Sequence, residues 1–221
     1  MIWPSLKLSL LVVSLATLII SVVGTALGFL FAKRDFRGKD ILDAVTTLPM
    51  VLPPTVTGYY LIVLLGRRGM LGSPLYSLTG WTVTFTWIAA VIASTVVALP
   101  LMIKSARAAI ESVDADYEIA SFTMGKSEFE TFFRITLPLA GRGILAGIVL
   151  SFARAFGEFG ATLMLAGNIP GRTQTMPLAI YEAVVSGEDA QAKWLALILT
   201  GISVTVVYLT NRLSRPKRTR R

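Results

Sequence analysis

The stretch Tyr117–Pro138, "YEIASFTMGKSEFETFFRITLP", sets three carboxylates (Glu118, Glu128, Glu130) beside Lys126 and Arg134. It is flanked by apolar runs at about Val83 to Ile103 and about Leu139 to Leu163, each long enough to cross a bilayer. A polar segment between two such runs has to leave the hydrocarbon. Its local signals describe two short helices. Asp114 is placed to cap a helix running to Met124, and Gly125 follows as a C-terminal stop. Ser127 with Glu130 three residues on reads as a capping box that starts the second helix. On that helix Phe129, Phe132 and Phe133 fall at i, i+3 and i+4 and share a face. Three phenylalanines need cover, which either the chain's own helix ends or the surface of a partner would supply.

Outward from this insert the chain is oily. Leu8 to Phe31 carries no charge in 24 residues, roughly 36 Å of helix and enough for a span. A signal peptide would have a shorter core and a basic start. The second run, about Ala44 to Leu65, contains Pro49, Pro53 and Pro54, and the third contains Pro100. The fourth contains Arg154 and Glu158, and the fifth is about Trp194 to Tyr208. No linker or internal repeat divides the sequence. The expectation is one all-α domain, residues 1–221: a polytopic membrane protein of about five transmembrane helices. The insert takes up about 112–138 and a basic tail 211–221.

Basic residues set the sidedness. Lys33, Arg34, Arg37 and Lys39 follow run one, and Lys104, Arg107, Lys126, Arg134 and Arg142 follow run three. With Arg212, Arg215, Lys217, Arg218, Arg220 and Arg221 in the tail, these are 15 of the 21 basic residues. This predicts the N-terminus outside, the insert and C-terminus in the cytoplasm, and an odd number of crossings. The tail would then lie beside anionic lipid, which accounts for the net charge of +8 without nucleic acid. Thr173–Val185, "TQTMPLAIYEAVV", is apolar but short. It is expected to dip back from the outer face against protein; a full crossing would make six spans.

Composition narrows the chemistry. With no His and no Cys, the commonest general base and the soft metal ligands are missing. One Arg–Glu pair inside the spans is a poor basis for a membrane enzyme. Five spans without a repeat, together with the insert, argue against a stand-alone secondary carrier. The chain has no G-x-x-x-x-G-K-[ST] run, so it does not cradle ATP in the P-loop manner.

The insert resembles the cytoplasmic loop of importer permeases of the ATP-binding cassette class. There an alanine pair and a glycine are followed, nine residues later, by I-x-L-P. Here Gly125 is followed by nine residues and then Ile135, Thr136, Leu137 and Pro138. Ala120 and Ser121 occupy the alanine positions, Ile119 occupies that of the usual glutamate, and Glu118 comes one residue early. The resemblance implies that the insert is a coupling helix seated on an ATPase subunit. "TLPMVLPPTVTGYYLIVLLGRRGMLG" (47–72) and "SFARAFGEFGATLMLAGNIPGRTQTMPLAIY" (151–181) are similar to the molybdate permeases of this class and, less closely, to the sulfate and tungstate permeases. This implies a second copy of the chain, two cytoplasmic ATP-binding cassette subunits and an external or periplasmic oxyanion-binding protein. ATP and its Mg²⁺ would sit on the partner chain, with no cofactor on this one.

An anion path has two candidate elements. Pro53 and Pro54 break run two, and Thr55 and Thr57 beyond the break could offer hydroxyls. A plain packing kink is the other reading. Arg154 and Glu158 are spaced to pair with each other. Either they only satisfy one another, or Arg154 attracts the oxyanion and Glu158 keeps it from binding too tightly. The loop "GNIPGRTQTMP", with Gly167, Pro170, Gly171, Arg172 and Pro177, would face a docking protein outside.

Overall fold

The computed structural model describes residues 2–214; Arg215, Lys217, Arg218, Arg220 and Arg221 of the basic tail lie outside the described residues. In chain order the helices are α1 (Ile2–Lys33), α2 (Lys39–Val51), α3 (Pro54–Leu65), α4 (Gly72–Thr79), α5 (Trp87–Glu111) and α6 (Ala115–Thr123). They continue with α7 (Glu128–Thr131), α8 (Leu137–Phe156), α9 (Gly160–Ala166), α10 (Met176–Val185) and α11 (Asp189–Ser214). The described residues contain no strand. Four helices are long and apolar enough to cross a membrane: α1, α5, the continuous rod Glu128–Phe156, and α11.

The second apolar run is not a straight span. It forms α2 and α3, bent by 119°. Pro53 and Pro54 cause the bend, because neither has an N–H to continue the ladder. Leu52 and Pro53 take extended angles, and α3 starts afresh with proline at its first position, where a missing donor costs nothing. The fourth run breaks as well. α8 ends at Phe156, and Gly157, Glu158 and Phe159 intervene before α9. That interruption has no proline behind it and was not expected.

Helix directions follow from close contacts. A Cβ on Gly24 would meet the Met102 side chain, and one on Gly28 would meet Ala106, so α1 and α5 run parallel. Gly143 faces Ala109 and Gly147 faces Ser105, so α8 runs antiparallel to α5. Two parallel spans in succession require a return, and the α2–α3 pair supplies it. Counting that pair as one pass gives the five expected. α5 is the central helix: Ala89, Ala93, Val97, Met102, Ala106 and Ile110 are all buried, with α1 and α8 packed against it and α11 lying against α8 and α10.

The Thr173–Val185 segment is short, as the sequence suggests. α10 has ten residues, about 15 Å, too short for a span. It is sewn to the start of α1. Ser9 Oγ accepts from Met176 N–H at 2.7 Å, and Ser5 Oγ donates to Gln174 Oε1 at 3.4 Å. Both serines are buried, one turn apart on α1. Met176, Ala179 and Leu195 of α11 then form a small core with Ile2 and Leu6.

In lipid, helices gain little from hydrophobicity when they associate, so close approach of small residues holds them together. Gly28 is the point on α1 where the backbone of α5 comes closest. A Cβ there would lie 2.7 Å from Ala106 Cβ, 3.0 Å from Arg107 N and 3.1 Å from Ile103 O, and backbone does not yield. At Gly24 a Cβ would lie 2.5 Å from Met102 Cγ and 2.7 Å from Met102 Cβ, atoms too near the backbone to swing away. Gly28→Ala and Gly24→Ala are therefore each expected to destabilise by about 1–3 kcal/mol. Thermal unfolding of the detergent-solubilised variants would show the loss, and an unchanged midpoint in either would contradict the packing described.

Candidate functional site

The insert keeps its two expected starts, but only one of its helices is free. Asp114 Oδ1 accepts from Asp116 N–H at 3.0 Å and opens α6. Gly125 adopts φ +78°. Lys126 N–H reaches Ser121 O and Gly125 N–H reaches Phe122 O, closing α6 in a Schellman turn. Ser127 and Glu130 form both halves of a capping box. The helix they start is no separate element, because it runs straight into α8. Residues Phe132–Thr136 widen to a π turn in which Leu137 N–H bonds to Phe132 O. This wider turn relieves the clash between the Pro138 ring and the carbonyl four residues back. Pro138 thus sits inside the rod and does not end it.

The three phenylalanines divide. Phe132 turns inward and packs edge-on against Phe29 of α1 at 4.5 Å. Phe129 and Phe133 lie against each other at 4.6 Å and stay exposed. Tyr117, Ile119, Phe122 and Met124 on α6 are exposed with them, Met124 by 78%. Ala120 is also on this outer face. The insert therefore presents a patch of apolar side chains at the end of the bundle, next to the charged Asp114 and Asp116.

Glu118 and Ser121 face the other way. Glu118 accepts from Lys33 Nζ at 2.7 Å and from the Thr136 hydroxyl at 2.6 Å. Ser121 Oγ is buried and 2.8 Å from Thr131 Oγ1. Through these contacts α6 is fastened to the end of α1 and the start of the rod. Arg34 also pairs with Glu128. The register one residue early is what turns Glu118 inward, about 100° from Ile119 on the exposed side. Sequence reasoning missed Lys33 and Thr136 as its partners, and no local signal could have supplied them at separations of 85 and 18 residues.

At the same end Asp43 of α2 accepts from Lys104 at 2.7 Å and Arg107 at 3.3 Å, and Arg107 also donates to Glu111 at 2.8 Å. This clamp holds α2, which has no buried residue of its own, to α5. Beyond it, the α2–α3 bend opens two cavities. One, of about 350 Å³, is lined by Val45, Leu48, Pro49, Tyr60 and Thr57; the Thr57 hydroxyl is buried without a hydrogen-bond partner. The other, of about 300 Å³, is lined by Pro49, Leu52, Pro54 and Leu101, with Arg154. Thr55 is exposed at the start of α3 and Pro53 is its N-cap. Arg154 Nη1 donates to Glu158 at 2.7 Å. The two candidate path elements are thus neighbours: Arg154 looks into the space beside the proline break.

A family described as "Binding-protein-dependent transport system inner membrane component" matches residues 24–220. Over 219 residues the chain is 42% identical to the "Molybdenum transport system permease protein ModB" of Escherichia coli (strain K12), covering 99% of this chain and 96% of that protein. It is 44% identical over 188 residues to the protein of the same name from Haemophilus influenzae, covering 85% and 82%. A chain of a bacterial alginate ABC transporter, solved in complex with an alginate pentasaccharide-bound periplasmic protein, superposes with a TM-score of 0.78 over 96% of this chain and 77% of its own. At 17% identity that likeness concerns the fold alone. A helical membrane chain with a fastened polar insert, matched along nine-tenths of its length, belongs to the family of binding-protein-dependent transport system inner membrane components.

Proposed function

We propose that this chain is the membrane-spanning subunit of an ATP-driven importer whose cargo is the oxyanion molybdate. The observation that carries the cargo assignment is the 42% identity, across nearly the whole chain, to a relative named for molybdenum transport. The working assembly is two copies of this chain, two cytoplasmic ATP-binding cassette subunits and an external oxyanion-binding protein. The N-terminus lies outside and the insert and C-terminus lie in the cytoplasm, as the basic-residue bias requires.

The apolar face of α6 with Phe129 and Phe133 is the ATPase docking surface. An exposed patch of this kind is suited to a partner's groove, and truncating a buried aromatic anchor typically costs about 2 kcal/mol or more, roughly thirty-fold in affinity. Glu118 serves transmission, not contact. Because it joins α6 to α1 and to the rod, a push on α6 moves both spans together.

ATP-driven uptake of labelled molybdate by proteoliposomes holding the full assembly tests the cargo. Accumulation should require ATP and the binding protein, and a tenfold excess of sulfate should compete weakly. Uptake on an ion gradient without ATPase subunits would make the chain a stand-alone carrier. Phe129→Asp should release the ATPase subunits while leaving thermal unfolding unchanged. Glu118→Gln should keep them bound and still hydrolysing, with uptake reduced about tenfold. Swapped phenotypes would reverse the two roles. The chain contains no native cysteine, so Lys126→Cys gives a single probe for sidedness. It should react with an impermeant maleimide in inverted vesicles and not in intact cells.

A further inference from the structure

The breaks in the second and fourth runs meet. α3 begins at Pro54 and α9 at Gly160, and a Cβ on Gly160 would lie 3.0 Å from Pro54 Cβ and 3.3 Å from Thr55 N. Broken helices at membrane depth are tolerated where they are buried in protein or line a cavity, and here Leu52 and Pro54 of the first break border the 300 Å³ space into which Arg154 looks. That volume is about that of ten liquid waters, ample for a small tetrahedral dianion.

Arg154 and Glu158 are unequal partners. The Glu158 side chain is 1% exposed and that of Arg154 is 34% exposed. Both Glu158 oxygens are engaged: Oε2 accepts from Arg154 Nη1 at 2.7 Å, and Oε1 accepts from Ala161 N–H at 2.8 Å. The amide bond pins the carboxylate in place. Arg154 serves it through Nη1, and a guanidinium carries further donors on Nη2 and Nε in a fork that suits oxyanions. A pair that only neutralised itself in the membrane would be expected to hide both charges; this one leaves the cation facing the cavity.

We propose that Arg154 is a passing contact for the oxyanion in the translocation path, and that Glu158 is its tethered competitor, reclaiming the guanidinium so that the cargo is let go. This rests on the oxyanion-importer reading. When Arg154 turns toward cargo, Glu158 is left buried with one amide donor, a poorly compensated charge. The pair therefore favours its resting contact, and the anion is held weakly. Weak holding is what conduction needs, since a site that binds firmly does not pass its cargo on. Without the competitor, the whole guanidinium fork would be free to grip a dianion.

The test uses the full assembly in proteoliposomes and in detergent, with labelled molybdate as the probe. Glu158→Gln keeps an acceptor for Ala161 N–H but loses the charge. It should retain molybdate through rapid desalting where the wild type retains none, and its uptake should fall about tenfold or more. Arg154→Gln should lose uptake to a similar degree with no retention, and the double variant should behave like Arg154→Gln. In the wild type, molybdate should slow phenylglyoxal modification of Arg154, read by peptide mass spectrometry, at least threefold; this arm does not depend on any variant folding. Normal uptake by Arg154→Gln, no retention by a folded Glu158→Gln, or no protection of Arg154 would each overturn the inference while leaving the importer reading intact. A wild-type assembly that moves no molybdate with ATP would instead remove the reading beneath it.

Discussion

Hydrocarbon offers no hydrogen bonds, so every backbone group the helices leave unpaired must be satisfied by protein. That constraint governs where this chain can bend. Pro53 and Pro54 remove donors at one break. At the other, three residues separate α8 from α9. The second break survives because Glu158 caps Ala161 N–H, and because the two helix starts touch through a glycine. The breaks meet where Gly160 and Glu158 are buried, while Pro53, Thr55 and Gly157 stay exposed. The cavity beside them follows from the bend, since α2 leaves at 119° to α3 and does not fill the space against α5.

The same scarcity of driving force explains the packing. α1 and α5 approach through glycine and alanine, and the ends of the bundle are fixed by polar contacts. Ser5 and Ser9 hold Gln174 and Met176 at one end. At the other, Asp43 joins α2 to α5 and Glu118 joins α6 to α1 and to the rod. The buried serine contacts are expensive to break, and the part-exposed ion pairs at the other end add direction more than energy.

Much of this could be read from residue order, for a physical reason. Run lengths, the proline bend, both starts in the insert and the stop at Gly125 are local, set by residues within a turn of one another. The brevity of α10 was also plain from its ten residues. Contacts between distant segments were not legible. Glu118 was visible as out of register, but its attachment to Lys33 joins residues 85 apart. The division of the phenylalanines depends on Phe29, and their helical spacing gives no hint of it. The merging of the insert's second helix with α8 was hidden by Pro138, which reads as a stop unless a π turn precedes it. The break after Phe156 is marked only by Gly157 and Gly160 around Glu158, and isolated glycines in an apolar run are usually tolerated.

That merged rod has a mechanical consequence. Glu128–Phe156 is one continuous helix of 29 residues, about 43 Å long. Phe129, on the exposed face of the insert, stands at one end, and Arg154, beside the cavity, stands at the other. A loop between them would absorb a displacement, whereas a hydrogen-bonded rod passes it on. Glu118 and Ser121 hold α6 to the near end of the rod, so the surface suited to a partner and the charge suited to an anion belong to a single rigid body. Movement of one end by a partner must shift the other relative to Pro54 and α9, which are carried on different segments. No wire of side chains between the two ends is needed: the helix that presents Phe129 also carries Arg154.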